Sequence, residues 1–475
     1  MMSRSPFVSI IIVNYNGRYL LHDCLSSVFA IDYPAEKYEV IVVDNDSRDD
    51  SVSYITRYFP QVSLVALKEN TGFTGGNIAG LQHAKGEYIV LLNTDAAVDK
   101  SWLKCLVKAA GPDTVGLVAP KIFYATPFIE LEITTPVVPF SDISHTTDFK
   151  PIGTMIEDVL CQTDEKTCQV WYKSGFYEQT FGAISTRWTR GKATILVPFS
   201  DPKEESFTFT FHGHPTVDAR STPVAVHLGD TELLSTTVHA NEVKQCVISV
   251  KRSRARSHFT WLIQNAGNVV FQTGYGRDRG SVVRQNSQRE SSEFYEEDNE
   301  YFNTPTQLLS ICGASCLIKR QVINQIGFFD PHYFMYYEDL DLSLRAWKAG
   351  WDIVYEPTAI VHHIHKATTN KTDSSFFLSM VEQNHLVFTL THFPFSTFIC
   401  ELFLFGLRLG MTMLKSLVFR FRDNLERSRD WNARADGRLR AAKNFTKSFP
   451  RVISSRFALK QLEIRSYKDM RKLLY

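Results

Sequence analysis

The sequence predicts an α/β protein built on a mostly parallel sheet, with an antiparallel β-sandwich inserted into it and a helical region at its C-terminal end. Three observations lead to this prediction. Short apolar runs alternate with helical patterns up to about residue 125 and again after residue 263. Between these stretches the helical period is absent, and after residue 373 it returns together with many basic side chains.

Residues 1–126 are predicted to form one half of a doubly wound sheet. Near-continuous apolar strands are typical of parallel sheets, whose two faces are both covered. Strands are expected at Phe7–Val13, Tyr38–Val43, Val62–Leu67, Glu87–Leu92 and Val115–Ala119, and helices at Gly17–Phe29, Asp49–Phe59, Thr74–Ala84 and Lys100–Ala109. Ligands bind beyond the carboxyl ends of such strands, so the polar residues that follow each strand are site candidates.

Residues 127–262 are predicted to be the inserted antiparallel β-sandwich. Short segments of alternating polarity, separated by turn residues, are typical of such a domain. Strands are expected at Ala193–Pro198, Phe207–Phe211, Pro223–His227, Glu232–Val238 and Gln245–Val250. Aromatic residues near its start, such as Tyr172 and Trp188, either fill the sandwich core or stack on sugar rings.

Residues 263–372 are predicted to continue the first domain. A polar loop (281–304) is expected first, followed by a strand over Leu308–Lys319, an acidic helix from Glu338 and a strand over Ile353–Tyr355. A chain tolerates an inserted domain at an exposed loop tip, because the two ends of the insertion can lie close together.

Residues 373–475 are expected to be helical and basic. From residue 420 onwards there are sixteen Lys or Arg against six Asp or Glu. Such an excess indicates an anionic surface, either nucleic acid or membrane lipid, or else a solvated basic helix. Charged residues interrupt Phe395–Phe421, so we expect no membrane-spanning helix there. We expect an amphipathic helix that lies at a membrane interface or packs on the protein's own core.

Targeting and cysteine signals favour a cytoplasmic protein. Residues 1–6 run directly into the first strand and lack the apolar region of a signal peptide. The eight cysteines form no C-x-x-C pair, so we expect reduced thiols. If the amphipathic segment binds lipid, the protein would be peripheral at the inner face of the cytoplasmic membrane.

Three carboxylates stand together at the start of the acidic helix: Glu338, Asp339 and Asp341. Acids beside buried surface are costly to desolvate, and the preceding aromatic residues Tyr336 and Tyr337 suggest a wall around them. Two explanations stay open. The acids belong to a functional site, or they favour the positive end of the helix dipole, with Asp341 pairing Arg345 one turn later.

Polar residues also follow the first two strands. Asn14 and Asn16 end the first strand, and Asp44 and Asn45 end the second. A carboxylate at position 44 can accept hydrogen bonds from a nucleobase imide or a ribose hydroxyl. It can equally hold an Asx turn or cap the next helix.

A glycine-rich segment follows the third strand, at Asn70–Gly80. Its backbone N–H groups and the following helix dipole could bind a diphosphate. The G-x-G-x-x-G fingerprint is absent, which argues against a dinucleotide dehydrogenase. Asp95 follows the fourth strand and could hold a divalent cation, and His363, one of three histidines at 362, 363 and 365, could complete the coordination.

These motifs together resemble a family 2 glycosyltransferase of the GT-A fold, and most of all its bacterial rhamnosyltransferase-like branch. The resemblance covers about 1–125 and 263–370, and the segments that carry it are Val8–Gly17, Val42–Ser47, Asn70–Gly80, Leu91–Asp95, Gly313–Arg320 and Gly327–Arg345. It implies an inverting transfer of sugar from a nucleoside-diphosphate donor, with dTDP-rhamnose as the first candidate. The implied acceptor is a glycan or a polyprenyl-linked sugar, and no nucleic acid is implied.

The resemblance also implies roles for single residues. Asp339 would be the general base with Glu338 beside it, and Asp95 with His363 would hold Mg²⁺ or Mn²⁺. The residues that would line the nucleotide-sugar site are Asn14, Asn16, Asp44, Asn45, Gly72, Gly75, Asn77, Asn93, Asp95, Gly313 and Ala314. Asn93 replaces the first acid of the family's D-x-D motif, so a strict metal requirement is not implied. The inserted sandwich is not part of the family's common core.

Two other functions are compatible with parts of this sequence. A nucleotidyltransferase that makes a nucleoside-diphosphate sugar would need a basic signature near the first loop, where only Arg18 is found. A glycan-binding protein with a degenerate transferase core would rest on the sandwich. The intact acids at 95, 338 and 339 argue against degeneration.

Overall fold

The chain folds into two compact units. A computed structural model describes residues 5–139, 151–152, 154–156, 159–161, 171–176, 187–200, 203–212, 221–285, 291–364, 374–421 and 425–475. Unit 1 comprises Met1–Ala125, Ile263–Gly280 and Asn299–Tyr475, and unit 2 comprises Thr126–Leu262 and Ser281–Asp298. The assignment of 281–298 to a polar loop of the first domain is therefore wrong. Short strands with polar side chains lack the apolar run that would have identified them.

The first segment of unit 1 alternates strands and helices. Its elements are β1 (Val8–Asn14), α1 (Leu21–Phe29), β2 (Tyr38–Asp44), α2 (Ser51–Tyr58), β3 (Ser63–Ala66), α3 (Gly72–His83), β4 (Tyr88–Asn93), β5 (Ala96–Val98), α4 (Trp102–Ala109) and β6 (Val115–Tyr124). The central strands are buried along nearly their whole length, which is why their sequences are apolar at almost every position.

Unit 2 is antiparallel throughout its described strands. They are β7 (Phe128–Thr134), β8 (Val138–Pro139), β9 (Pro151–Ile152), β10 (Met155–Ile156), β11 (Leu160–Cys161), β12 (Trp171–Phe176), β13 (Arg187–Pro198), β14 (Glu204–His212), β15 (Thr222–Leu228), β16 (Thr231–Val238), β17 (Val243–Lys251) and β18 (Phe259–Thr260), with a short helix α5 (Arg252–Ala255). Sequence reasoning missed β7, which pairs with β13, β15 and β18.

The sheet of unit 2 follows one continuous path, in the order β11-β14-β10-β13-β7-β15-β16. The strands around β7 and β13 and those around β14 and β17 form two groups, and the short strand β10 joins them by pairing with both β13 and β14. Buried side chains from many of these strands nevertheless share one core, and Tyr172 packs against it. That contact favours the structural explanation for this aromatic residue.

The chain returns to unit 1 for its remaining strands. Residues 263–364 hold β19 (Ile263–Asn265), β20 (Asn268–Val270), β21 (Gly276–Asp278), the unit 2 hairpin β22 (Ser281–Gln285) and β23 (Ser291–Tyr295), then β24 (Thr306–Leu308), β25 (Ser315–Lys319), α6 (Arg320–Ile326), α7 (Glu338–Lys348) and β26 (Asp352–His363). The single strand predicted over Leu308–Lys319 is thus two strands, and the segment between them holds Gly313 and Ala314. The strand predicted at Ile353–Tyr355 extends as far as His363.

The main sheet of unit 1 has the order β24-β26-β6-β25-β4-β1-β2-β3. β1, β2, β3 and β4 pair in parallel, and β25 runs antiparallel between β4 and β6. β26 pairs in parallel with β6. Six strands therefore share one direction, as predicted, and the sheet as a whole is mixed.

The C-terminal region of unit 1 is helical. Its helices are α8 (Ser374–His392), α9 (Phe395–Phe421), α10 (Leu425–Leu462) and α11 (Tyr467–Met470). α9 is long and apolar enough to cross a membrane by length and composition, with a mean hydropathy of 1.6 over Phe395–Val418. That finding qualifies the expectation that no segment here has spanning character.

Candidate active site

The carboxyl ends of β1 and β2 form one polar cluster. Asn14 and Asp44 are register partners and are both almost fully buried. The Asn14 Nδ2 group donates to Asp44 Oδ2 at 2.9 Å and to Ser47 Oγ at 3.2 Å. The Ser47 N–H donates to Asp44 Oδ1 at 3.0 Å, so the Asx turn is present. These bonds use two of the roughly four acceptor positions of the carboxylate, and the others can accept from a ligand.

Asn16 shapes the loop beside this cluster. Its φ of +50° lies in the left-handed region, which asparagine tolerates better than most residues. The Asn16 N–H donates to Ser47 Oγ at 2.9 Å, and its Oδ1 accepts from the Arg48 N–H at 2.7 Å. The side chain of Asn16 therefore ties the first loop to the second through its oxygen.

The side chain of Asn45 makes hydrogen bonds within the protein, and its contact with a nucleotide sugar stays a prediction. Its Nδ2 group donates to Asn70 Oδ1 at 3.0 Å and to the Gly72 carbonyl at 2.9 Å. Its Oδ1 accepts from the N–H and the hydroxyl of Thr71, at 2.9 and 3.1 Å. Because an amide has two donors and two lone pairs, this side chain is saturated within the protein.

The glycine-rich segment forms the first part of helix α3, and three of its N–H groups already donate within the protein. The N–H groups of Gly72, Thr74 and Gly75 donate to Asn70 Oδ1, the Phe334 carbonyl and the Thr71 carbonyl. The prediction that this helix start offers free N–H groups to a diphosphate is therefore wrong for these three positions.

Close packing explains the glycines themselves. Gly72 has a φ of +73°, and a Cβ there would lie 2.3 Å from the Phe334 carbonyl oxygen. A Cβ at Gly75 would lie 2.4 Å from Thr71. Asn77 is buried and donates back to the Phe73 carbonyl at 2.9 Å. The segment packs closely on Phe334, a few residues before the acids of the site.

Asp95 and His363 lie together, although they are far apart in the sequence. His363 Nε2 is 2.9 Å from Asp95 Oδ1 and 3.3 Å from Asn93 Nδ2. Its Nδ1 is 2.8 Å from the Oε1 atom of Gln264, a residue that sequence reasoning missed. An amide oxygen can only accept, so Gln264 places the proton of a neutral imidazole on Nδ1. The Nε2 lone pair then faces Asp95, as in a metal ligand oriented by an outer hydrogen bond.

The donor set is small but chemically suitable for a cation. No group of three or more His, Cys, Asp or Glu side chains that could hold a metal occurs among the residues the structure describes. Mg²⁺ and Mn²⁺ sites that bind phosphorylated ligands commonly use one or two protein carboxylates plus phosphate oxygens. Asp95 with His363 fits such a site. His365 lies outside the described residues.

Gly313 and Ala314 connect the two halves of the site. The Gly313 N–H donates to Asp339 Oδ2 at 3.0 Å, and the Ala314 carbonyl accepts from the Asn93 N–H at 2.9 Å. Two adjacent residues thus tie the acidic helix to the strand end that carries Asn93 and leads to Asp95. A Cβ on Gly313 would lie 3.2 Å from Phe73 and 3.7 Å from Glu338 Oε1, so the residue keeps this corner narrow.

Asp339 is held by hydrogen bonds, and no Lys, Arg or His of the described residues pairs with it. Its Oδ2 accepts from the Gly313 N–H and from Asn268 Nδ2, at 3.0 and 3.2 Å, and its Oδ1 accepts from the Leu340 N–H at 2.8 Å. Burial raises the pKa of Asp339, and these hydrogen bonds offset only part of the increase. Asn268 was not anticipated, because it lies in an ordinary-looking N-A-G-N turn.

Glu338 is in a less favourable environment. It is 6% exposed, and its Oε2 atom is buried without a hydrogen-bond partner among the described residues. Burial raises the pKa of Glu338 well above its usual range, and the adjacent Asp339 raises it further. No described Lys, Arg or His forms an ion pair with either acid. Unpaired buried carboxylates of this kind mark candidate functional sites.

The backbone before these acids is strained. Tyr336 and Tyr337 have φ values of +69° and +74°, so two consecutive large residues occupy the left-handed region. Asn384 of α8, which is 1% exposed, donates from Nδ2 to the carbonyls of Met335 and Tyr336, both at 2.9 Å. Asn384 therefore holds the strained segment in place. No motif in the sequence identifies it.

Asp341 belongs to a separate, structural cluster. It pairs with Arg345, with Nη2 to Oδ2 at 2.8 Å, and accepts from His392 Nε2 at 2.8 Å. Burial alone would raise the pKa of Asp341, but Arg345 and His392 lower it to about 2. The i,i+4 explanation thus accounts for this acid and for neither of the other two.

Comparisons with known protein families match both parts of the chain that hold the residues described above. A model described as glycosyl transferase family 2 matches residues 9–152, and one described as glycosyltransferase like family 2 matches residues 232–381. Residues 153–231, within unit 2, lie outside both matches.

Similar proteins cover only part of the chain. Glycosyltransferase AglE of Haloferax volcanii is 30% identical over 122 residues, which are 24% of this chain and 40% of that protein. N-acetylglucosaminyl-diphospho-decaprenol L-rhamnosyltransferase of Mycobacterium tuberculosis is 41% identical over 78 residues, 16% of this chain and 25% of that protein. The chain thus spans well under two thirds of these relatives. The structure of a mannosyltransferase of Pyrobaculum calidifontis with GDP-Man and Mn²⁺ is also similar. The match covers 94% of this chain and 88% of that protein, at 14% sequence identity and a TM-score of 0.39.

Proposed function

Because the chain belongs to the family 2 glycosyltransferases, we propose that it is an inverting glycosyltransferase. It would move a sugar from a nucleoside diphosphate to a hydroxyl of a glycan or a polyprenyl-linked acceptor. The mixed α/β sheet of unit 1 agrees with a GT-A-like fold. By resemblance, dTDP-rhamnose is the first donor to test, and the cytoplasmic face of the membrane is the expected location.

One observation carries the proposal. The segment Gly313–Ala314 binds the Asp339 carboxylate through one backbone group and the Asn93 strand end through the next. The candidate base and the candidate cation ligands, Asp95 and His363, therefore belong to one neighbourhood. A displacement at a sugar carbon needs this arrangement, with a proton acceptor on one side and charge stabilisation at the leaving group on the other.

The base is assigned from its hydrogen bonds. Oδ2 of Asp339 accepts two bonds within the protein, whereas Oδ1 accepts one, from the Leu340 N–H. Oδ1 thus has a lone pair left for the proton of the acceptor hydroxyl as its oxygen attacks the anomeric carbon. The raised pKa of Asp339 makes it a stronger base than a solvated aspartate. A single displacement of this kind inverts the anomeric configuration.

Asp95 and His363 would hold the divalent cation. When bound, that ion offsets the negative charge of the departing diphosphate. Gln264 keeps the Nε2 lone pair of His363 directed toward Asp95. Asp44 would accept from the nucleobase or ribose with its remaining lone pairs.

The test is a transfer assay on a panel of nucleoside-diphosphate sugars with Mn²⁺. We expect one donor to give product of inverted configuration and to release a nucleoside diphosphate. Release of pyrophosphate from a sugar phosphate and a nucleoside triphosphate would instead identify a nucleotidyltransferase. Binding of glycans with no turnover of any donor would favour the degenerate binding protein.

A matched pair of variants tests the cation site. Asp95 faces His363 at 2.9 Å, and Asp99 faces His362 at 3.4 Å, on the same short segment of chain. We expect Asp95→Asn to remove the Mn²⁺-dependent part of nucleoside-diphosphate affinity in calorimetry, and Asp99→Asn to leave it unchanged. Equal behaviour of the two variants would contradict the assignment.

A further inference from the structure

Helix α9 turns apolar side chains toward solvent and buries charged ones, which is the reverse of a surface helix in a soluble protein. Two of its charged residues, Glu401 and Arg408, belong to the side that packs on the protein. Glu401 is 3% exposed, and Arg408 Nη2 pairs with Glu382 Oε2 of α8 at 3.0 Å. The side turned to solvent is apolar. A water-soluble helix shows the opposite arrangement, because charges are cheapest in water.

The exposed side forms one continuous stripe, here called the apolar face, which consists of Phe395, Ile399, Phe403, Leu407, Met411 and Leu414. Their spacing of three and four residues places them on one side of the helix. Each of them is between 46% and 65% exposed. Only 22% of the apolar stretch Phe395–Val418 is buried, so it is not the core helix of a soluble protein. Exposed apolar surface of this extent marks an interaction site.

Basic and aromatic groups adjoin one end of the apolar face. Lys415, next to Leu414, lies over the ring of Trp431 with Nζ 4.6 Å from its centroid, and the Arg434 guanidinium lies 5.1 Å from the same ring. Tryptophan with Lys or Arg is typical of the level where lipid tails meet headgroups. The chain from residue 420 onwards, which includes α10, carries sixteen basic against six acidic residues, which suits an anionic surface.

We infer that α9 lies in the plane of a membrane, with the apolar face among the lipid tails and α10 supplying charge toward anionic headgroups. The occupant is a lipid bilayer, because a second copy would bring the basic regions of both copies together. A spanning orientation does not fit, since the inner side of α9 packs along α8 and α10 with Phe398, Phe405 and Thr412 buried. This inference rests on the proposed function in one respect: a polyprenyl-linked acceptor is confined to a bilayer.

The experiment is flotation of the full chain with lipid vesicles. Vesicles of phosphatidylcholine are used with and without phosphatidylglycerol, at low and high salt. We expect the wild type to float with the anionic vesicles, to float less with neutral ones, and to retain part of its binding at high salt. Apolar insertion is insensitive to salt, whereas the basic contribution is screened.

Two phenylalanines of equal exposure give a matched pair of variants. Phe403, in the apolar face, is 65% exposed, and Phe457, near the other end of α10, is 61% exposed. We expect Phe403→Glu to reduce the vesicle-bound fraction by about tenfold or more, because a charge is placed among lipid tails. Phe457→Glu should float like the wild type. Both positions are exposed, so neither change should alter thermal unfolding.

Three outcomes would overturn the inference. The wild type stays at the bottom of the gradient with anionic vesicles at low salt, or Phe403→Glu floats as well as the wild type. In the third outcome, light scattering without lipid finds a dimer, and Phe403→Glu dissociates it. The apolar face would then be a contact between two copies of the chain. Flotation requires no turnover, so a chain that floats but transfers no sugar refutes only the proposed function.

Discussion

The two sides of helix α7 place nearly adjacent carboxylates in opposite electrostatic surroundings. On one side Asp341 is ion-paired with Arg345 and hydrogen-bonded by His392, and its pKa falls to about 2. On the other side Glu338 and Asp339 have no cation among the described residues, and burial raises the pKa of both. One turn of helix therefore holds an acid that stabilises the fold and two acids that cost stability.

This contrast separates structural from functional acids by their partners. A buried carboxylate with a guanidinium beside it gains from ionisation, whereas one without a counter-charge loses. Proteins retain the second kind mainly where chemistry requires it. Replacing each acid by its amide should therefore affect different properties, and four predictions follow this division from the largest effect to the smallest.

The largest effect is expected for Asp339→Asn. The amide keeps the shape of the side chain but cannot take the acceptor proton, so kcat/KM for transfer should fall about 10³-fold or more, equivalent to about 4 kcal/mol of barrier. Donor affinity should change little, and the unfolding midpoint should not fall, because burial already raises the pKa of this acid and makes its charge costly. Asp436→Asn on the exposed surface of α10 is the control and should keep full activity. Retention of activity by Asp339→Asn would remove the proposed base.

The second prediction concerns stability, not turnover. Asp341→Asn leaves the Arg345 guanidinium without its counter-ion, so the free energy of unfolding should fall by about 3 kcal/mol or more in urea titrations. The pKa of Asp341 in the fold, about 2, is below the ordinary value of 3.8. Its contribution is therefore complete above pH 3.8 and is lost as the pH falls from 3.8 toward 2. The variant should lack this part of the acid sensitivity, and kcat below its melting temperature should stay near the wild-type value.

The sequence predicted the parallel part of the sheet well, because that pattern is local. The strands Val8–Asn14 and Tyr38–Asp44 are apolar along their length and end at Asn14 and Asp44, so type and position can both be predicted from a few residues. Asp95 and His363, which were expected at one site, lie 2.9 Å apart (Oδ1 to Nε2) although they belong to distant segments.

Other features depend on partners that no local pattern reveals. The sequence does not show that residues 70–72 occupy all the hydrogen-bonding groups of the Asn45 side chain. Gln264 lies at the junction after the inserted region and acts only through the imidazole of His363. The sequence also does not show which side of α9 faces solvent, because it shows the charges of the helix but not that Glu401 is turned inward.

The third prediction concerns the stability that is lost because the Glu338 carboxylate is buried without a counter-ion among the described residues. Glu338→Gln should raise the free energy of unfolding at neutral pH by about 2 kcal/mol, because it removes a charge that is buried without a counter-ion among the described residues. The folded pKa of Glu338 lies above its ordinary value of 4.5, so wild-type stability falls as the pH rises from 4.5 through that pKa. The advantage of the variant should therefore be small at pH 4.5 and larger above pH 7 in thermal melts. An equal difference at both pH values would mean that the charge is not its cause.

The smallest effect is expected for the residue that holds the strained segment. Asn384→Ala removes the two hydrogen bonds to Met335 and Tyr336, so the segment before Glu338 gains freedom to leave its left-handed conformation. We expect kcat to fall about tenfold, about 1.4 kcal/mol of barrier, while the KM for the donor stays nearly constant. The part of the pH dependence of kcat that follows the ionisation of Glu338 and Asp339 should shift as well.

Gln383 supplies the control for this last prediction. It precedes Asn384 on the same helix and is similarly buried, at 6% against 1% exposed. A loss of packing in α8 should affect Gln383→Ala and Asn384→Ala alike, and it would lower stability without moving the pH profile. Only the loss of a positioning contact lowers kcat at constant KM, because the acid then spends less time in the geometry that accepts a proton. If the two variants behave alike, the strain at Tyr336 and Tyr337 is maintained by packing, and Asn384 has no separate part in placing the base.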